Sequence, residues 1–340
     1  LLSGIERMAL GADFNLDVLL GGMNFNPAAF KSTEEKLILL QRFLPFVEKR
    51  LNTIELATKG TGKSYCYSQL SPYTWCVNGG SVSRATAFFD LTRKKPGYFA
   101  DYSQIIFDEV QTIKFANPEE IGGALKSYLE SGEIRVGGFE CQCDSGLTLV
   151  GNIPESQMDT KKGDMFKTLP KVFHESALID RFHGIVEGWK IPRMCENMKM
   201  EGWSISPYYL RDYDGCKQNV MDLCNNAELN EEEMKKVMEM FEKMREEFYY
   251  RAIVDQLIDE LIVDKKSADT RNLEAVKRLC TAYMKILFPY VTSKNQIQTD
   301  EFITYCLKPA LRMRENVLFQ LRKLDKEYED KEMPEFKGVA

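Results

Sequence analysis

At 340 residues with 44% hydrophobic content, the chain can bury one large core or two medium ones, which excludes a disordered protein and sets one or two domains. Its net charge of −6 excludes a surface uniformly attractive to nucleic acid or anionic lipid, so any polyanion site has to be a local patch. Nine cysteines without dense spacing, and no secretory segment ahead of them, fit a reducing cytoplasmic compartment.

In chain order, the start LLSGIERMALGADFNLDVLLGG is leucine-rich but interrupted by Glu6, Arg7, Asp13 and Asp17. No uncharged apolar run reaches about 18 residues anywhere, so no membrane span is expected. The chain opens on leucine rather than methionine, which leaves room for residues upstream. Residues 33 to 52 repeat apolar side chains at helical spacing behind a Ser/Thr cap and two glutamates, with Pro45 inside one helix or between two shorter pieces. TIEL (53–56) reads as a β-branched strand, and SYCYSQL continues as a helix. Then come a strand TWCVNG, a helix RATAFFDLTRKK ended by Pro96 and Gly97, and a buried strand QIIFDEV. PEEIGGALKSYLESGE is helical, EIRVGGFECQCDSGLTLVGNIP contains two strands in hairpin style, and LPKVFHESALIDRF reads as a helix leading to the strand GIVEGW.

This alternation predicts an α/β fold with a mostly parallel sheet covered on both faces. After about residue 192 helical patterns dominate, including ELNEEEMKKVMEMFEKMREEFYY, whose charge-rich run 228–247 reads as a solvated helix face. The expected organisation is a helical segment over 1–30, a nucleotide-binding α/β domain over 31–192 and a helical lid over 193–340. Neither an internal repeat nor a low-complexity segment appears.

The chemistry begins in TIELATKGTGKSYCYSQLSPY, residues 53 to 73. A phosphate-binding loop needs glycines so that consecutive N–H groups turn inward, a lysine for the β and γ charges, and a hydroxyl for magnesium. The run Lys59-Gly60-Thr61-Gly62-Lys63-Ser64 supplies all three between a strand and a helix, so Thr58, Lys59, Gly60, Thr61, Gly62, Lys63, Ser64 and Tyr65 are the expected contacts of ATP. The pattern asks for glycine at position 57, where Ala57 stands; alanine costs little there if φ stays negative. The strand Gln104-Ile105-Ile106-Phe107 ends in Asp108 and Glu109, one suited to the Mg2+ shell shared with Ser64 and the other to polarising a water. Leu147-Thr148-Leu149-Val150-Gly151 ends in Asn152, an amide able to orient that water, though Asn before Pro154 is also an ordinary turn former. Arg181 in ALIDRF and Arg271 in TRNLE are candidates to neutralise charge on the transferring phosphate, the latter opening a lid helix. Cys141 and Cys143 form a lone C-x-C, read as hairpin or buried thiols rather than zinc ligands, and His174 and His183 are read as structural.

The order GTGKS, IIFDE, LVGN, LIDRF, TRNLE resembles an AAA+ ATPase with its three-layer P-loop core. More narrowly, NFNPAAFKSTEEKLILLQRFLPFVEKRLNTIELATKGTGKSY, YLESGEIRVGG and FHESALIDRFHGIVEGWKIPRM are similar to the Lon-related ATPases of BREX phage-defence systems, from about residue 5 to 325. The resemblance implies a homo-oligomeric, hexameric ring with ATP between subunits, Asn152 as first sensor, Arg181 acting in trans and Arg271 as second sensor. It also implies DNA binding, similarity to replicative helicases of the minichromosome-maintenance type, and other defence proteins as partners. Longer members carry a protease domain after the ATPase; this sequence stops at Ala340, and peptidase activity is not expected of it.

Three functional classes follow: a DNA-engaging motor, a protein unfoldase and a nucleotide-gated scaffold. Unfoldases grip peptide with an aromatic residue in the loop after the second strand, and Asn78-Gly79-Gly80-Ser81-Val82-Ser83 has none. A DNA motor presents cations to phosphates. The hairpin Gly138–Asp144 is neutral to acidic, leaving Arg84, Arg93, Lys94, Lys95 and Arg135 as the candidate contacts.

Overall fold

The computed structural model describes residues 11–69, 71, 73–158, 163–200, 247–289 and 291–339. Residues 1–10, and the charge-rich run from 228 as far as 246, lie outside the described residues. Five parallel strands form the central sheet: β1 (Thr53–Ala57), β2 (Thr74–Asn78), β3 (Gln104–Asp108), β4 (Gly146–Asn152) and β5 (Gly184–Ile185), in the order β5-β1-β4-β3-β2. β3 and β4 lie inside the sheet and read as near-continuous apolar runs because both their faces are covered. Register is fixed across the sheet, with Ala57 opposite Asn152, Leu149 opposite Phe107 and Asn78 opposite Asp108. Within the sheet, Thr148 Oγ1 meets Thr53 Oγ1 at 3.0 Å and accepts from Gln104 Nε2 at 2.9 Å, so the two hydroxyls and the Gln104 amide nitrogen are paired.

The longer helices among the described residues are α1 (Ala12–Gly22), α2 (Thr33–Leu40), α3 (Lys63–Gln69), α4 (Pro118–Ser131), α5 (Glu247–Leu261), α6 (Thr270–Leu287) and α7 (Lys308–Leu324). Ser32 caps α2 through the Glu35 N–H at 3.2 Å, and a 3-10 turn then leads to a short helix, Leu44–Val47, with Pro45 in its first turn. Pro45 thus separates two pieces, since its missing N–H is harmless only at a helix start. α4 begins with the Asn117 cap and Pro118 and ends at Gly132, which takes φ 77°.

Side chains alternate across the sheet. Ile106 and Val150 pack with Cys66 and Tyr67 of α3 and with Leu16, Leu40 and Leu44, while Ile54, Leu56, Phe107 and Leu149 pack with Ile121, Leu125 and Tyr128 of α4. The result is three layers. The helices after residue 247 build no core of their own: Val254, Leu279, Tyr283 and Leu307 belong to the same cluster as the N-terminal Leu16 and Leu20. Polar clamps reinforce that union. Asn15 Nδ2 donates to the Leu287 carbonyl at 2.8 Å, and buried Glu48 receives Lys285 at 2.7 Å, Arg251 at 2.5 Å and Arg278 at 3.4 Å.

Three readings of the sequence need correction. RATAFFDLTRKK is not a helix beyond Arg84–Ala87; Phe89–Asp90 and Lys95–Pro96 pair as a hairpin. Asp90 Oδ1 accepts from the N–H groups of Thr92 and Arg93, and Lys94 takes φ 54°, so the side chain competes with the helix for its own backbone. LPKVFHESALIDRF splits into a 3-10 turn, Lys171–His174, and a one-turn helix, Ser176–Ile179, because Glu175 is extended. The stretch from Glu133 to Asn152 holds three strands, a hairpin of Glu133–Val136 with Phe139–Gln142 followed by the central β4. No helix among the described residues is long and apolar enough to cross a membrane.

Burial pushes the Glu48 carboxyl up, but Lys285, Arg278 and Arg251 outweigh it and hold the group below the usual glutamate value. A carboxylate with a lowered folded pKa contributes stability above its unfolded value and loses it as pH falls through the folded one. Glu48→Gln is therefore expected to lower unfolding free energy at neutral pH by roughly 2 to 4 kcal/mol. In urea titrations the gap between parent and variant should shrink as pH drops below about 4.

Candidate active site

β1 delivers the chain into the glycine loop. Ala57 stays in the strand, is absent from the positive-φ positions, and pairs with Asn152, so the missing first glycine imposes no backbone strain. Gly60 and Gly62 take φ 83° and 75°, which a side chain would resist. The Met194 N–H donates to the Gly60 carbonyl at 2.8 Å, and Arg42 NH1 donates to the Thr61 carbonyl at 2.8 Å. In a trans peptide the N–H points opposite its carbonyl, so the amides of Thr61 and Gly62 turn away from those donors. Alternating backbone handedness with inward N–H groups makes an anion nest.

Lys63 is the first residue of α3, and its ammonium donates to the Thr58 carbonyl at 2.5 Å across the loop. Burial pushes the ammonium below its usual value, Glu55 and Asp108 pull it back, and Arg42 adds to the depression. The acid at the end of β3 therefore acts on the loop lysine: the two halves of the expected site share one end of the sheet. By strand alternation Asp108 and Asn152 fall on the face of Ile106 and Val150, the side on which α3 packs. β4 lies between β1 and β3, which puts Asn152 between the lysine loop and the acid pair.

The acid pair is held tightly. Asp108 Oδ1 accepts from the Glu109 N–H at 2.9 Å, and the Glu109 carbonyl accepts from Thr112 N–H at 2.7 Å and Thr112 Oγ1 at 2.8 Å. Glu109 itself sits in the left-handed region, φ 49° and ψ 44°, a conformation costing a non-glycine residue on the order of 1 kcal/mol. The clamp fixes the Glu109 backbone and leaves its side chain exposed. Burial, helped by Asp108, raises the neighbouring Cys76 thiol to about 11, so it stays protonated.

Ser64 and Asp108 would hold a magnesium ion. Ser64 directly follows the lysine and is exposed, and Asp108 keeps Oδ2 outside its bond to Glu109, so a hydroxyl and a carboxylate oxygen match the hard-cation donor set. Tyr65, 48% exposed, accepts from Asn24 Nδ2 at 3.4 Å, which ties the N-terminal turn to the loop's rim.

Arg181 and Arg271 are not with this group. Arg181 pairs with Glu130 at 3.0 Å and Arg271 with the same Glu130 at 3.0 Å and with Asp180 at 3.3 Å. Asn52, just before β1, donates to the Arg181 carbonyl at 3.3 Å, so the pair lies at the N-terminal edge of the strands. The loop is at the other edge, roughly six residues or about 20 Å of extended chain away. Arg314 NH2 braces the arrangement on Asp180 at 2.5 Å.

Two residues escaped the sequence reading. Arg42 looks like a solvated position of an amphipathic helix yet is fully buried, paired with Glu55 at 2.6 Å beneath the loop. Glu55 is an acid inside an otherwise apolar strand, which is the one signal the sequence offered. The remaining expectations concern residues away from the site. His183 is half-buried, Nδ1 accepts from the Asn52 N–H at 3.0 Å, and desolvation, with Arg278 beside it, keeps it neutral. Cys141 and Cys143 sit 3.5 Å apart, Cys143 pushed up to about 12 by burial, and no group of three metal-ligating side chains occurs among the described residues.

Comparison with known proteins identifies the family. The family described as "Lon-like protease BrxL-like, ATPase domain" matches residues 5–219 and 223–334. The chain is 26% identical over 319 residues to Lon-like protease BrxL of Escherichia coli O9:H4 (strain HS), covering 94% of this chain and 40% of that protein. It is 28% identical over 321 residues to Lon-like protease BrxL of Bacillus cereus (strain H3081.97), covering 94% and 42%. It thus spans about two-fifths of the length of these curated relatives. With a five-stranded parallel sheet, a glycine-lysine loop and an acid pair at one edge, and a family match over nearly its whole length, this chain belongs to the BrxL-like ATPase domain family.

Proposed function

We propose that this chain hydrolyses ATP as one subunit of a homo-oligomeric ring, hexameric by resemblance, and couples hydrolysis to engagement of DNA in phage defence. One observation carries the reading: Lys63, Asp108, Glu109 and Asn152 gather at one edge of the sheet, while Arg181 and Arg271 share Glu130 at the other. A single copy holds a nucleotide cradle without its arginines and arginines without a nucleotide. Two copies stacked edge to edge complete each other.

The chemistry of each residue follows from its place. The nest amides and Lys63 bind the β and γ phosphates, and bound magnesium supplies neutralisation of their oxygens. Glu109, exposed on a backbone fixed in the left-handed region, accepts the proton of the attacking water. Asn152 orients that water from the intervening strand. Arg181, and with it Arg271, stabilises charge on the neighbour's transferring phosphate, since an arginine needs no deprotonation and reaches across an interface.

DNA engagement is supported by two hairpins that pack as one unit. Phe89 stacks on Phe139 with centroids 4.1 Å apart, and a Cβ at Gly137 would lie 2.3 Å from Leu91. Arg93, Lys94 and Lys95 ride on one hairpin and Arg135 on the other. Arg93 is 80% exposed and meets Asp90 only at 3.8 Å, whereas Arg84 pairs with Glu120 at 3.2 Å and Arg135 with Glu133 and Glu140 at 2.9 Å each, so Arg93 to Lys95 are the cations best placed for phosphate.

Lys63→Ala is expected to abolish ATP binding, and Glu109→Gln to bind ATP while slowing turnover by about 10² to 10⁴. Both are read from nucleotide titration and phosphate release, and normal turnover in Glu109→Gln would remove that residue from its role. Arg181→Ala or Arg271→Ala should each cost about 10³-fold in turnover. Mixing either with Glu109→Gln subunits should restore activity through sites that combine an intact Glu109 with an intact neighbouring arginine; no rescue at any ratio would place the arginines within their own subunit. Stimulation of the parent ATPase by DNA, and not by unfolded protein, checks the substrate.

A further inference from the structure

We propose that Arg42 is a positioning residue for phosphate binding, holding the loop open from below through the Thr61 carbonyl; this rests on the nucleotide reading above. The guanidinium spends all its donors in one place. Nε bonds Glu55 Oε2 at 3.0 Å and NH2 bonds Oε1 at 2.6 Å, while NH1 reaches the Thr61 carbonyl at 2.8 Å and NH2 the Thr61 hydroxyl at 3.3 Å. Tyr67, on α3, donates to Glu55 Oε2 at 3.1 Å, and Gly188 backs Glu55 so closely that a Cβ there would lie 2.4 Å from Oε1. One ion pair therefore joins the segment before β1, β1 itself, the apex of the loop and the helix that follows it.

Stability alone does not account for this pair. Replacing a fully buried ion pair with apolar side chains of similar volume is often neutral or stabilising, so an Arg–Glu pair at 0% exposure is not needed to fill the space. What an apolar pair cannot do is donate to Thr61. Without that donor, the Thr61–Gly62 peptide is free to rotate, and the Gly62 amide no longer has to face the phosphate. Arg42 has a second effect, because it occupies a carboxylate that lies near Lys63. Left without its guanidinium, Glu55 would compete with phosphate for the lysine.

The two effects separate by substitution. Arg42→Met leaves Glu55 charged and buried, and both stability and ATP affinity should fall. Arg42→Met combined with Glu55→Gln removes the charge conflict, and its thermal unfolding should return toward that of the parent. Its dissociation constant for a fluorescent ATP analogue with Mg2+ should still be raised about tenfold, the factor one net hydrogen bond carries. Arg42→Lys keeps the charge on Glu55 but cannot serve Glu55 and Thr61 together, and is expected to fold and to lose affinity by a similar factor. A stable double variant that binds ATP as the parent does would overturn the proposal. Should that variant not fold, parental affinity in Arg42→Lys would overturn it. Absence of binding by the parent chain would instead overturn the nucleotide reading, and this inference with it.

Discussion

Parallel pairing of β1, β4 and β3 is the constraint on which the site depends. Parallel strands end at one edge, so the loop after β1, the acids closing β3 and the amide closing β4 are delivered to one place by backbone hydrogen bonding alone. The register then fixes which side chains point toward α3. A slip of one residue would turn Asp108 and Asn152 to the opposite face and bury Glu55 among leucines. The polar contacts at Thr53, Gln104 and Thr148 oppose such a slip, since each would lose its buried partner.

The same topology separates Arg181 and Arg271 from the lysine loop. Segments entering the strands lie at the opposite edge, and the stretch before β5 brings Asp180 and Arg181 there. α6 adds Arg271, and α4 ends nearby with Glu130. The shared carboxylate offsets the repulsion between the two guanidiniums. Arg314, buried against Asp180, Asn272 and the Phe182 carbonyl, locks that edge to the C-terminal helices.

Much of this was legible in the sequence because the signals were local. GTGKS and IIFDE each compress a turn, a strand and a set of functional groups into a few residues, and the alternation of strand and helix identified the layers. The failures have a common cause in tertiary context. Arg42 occupies a position that reads as solvent-facing, and only Glu55, an acid within an apolar strand, marks the partner that captures it. Phe88-Phe89-Asp90 sits in a segment with helical spacing, yet the Asp90 turn and the Phe89–Phe139 stack across hairpins win over propensity. Nothing local in residues 250–320 says that their apolar faces belong with residues 16–51, because that partnership spans more than 200 positions.

That long-range partnership bears on how the protein is made. Lys285 closes on the Val47 carbonyl and Glu48 across 238 and 237 residues, and Arg278 on Lys49 across 229. The cluster flanking α3 therefore stays open during synthesis until the helices from 247 onward have emerged, and closing so wide a loop is slow. Until then that cluster lacks the apolar side chains of residues 250–307, a period in which a nascent chain is open to aggregation and to holding by chaperones.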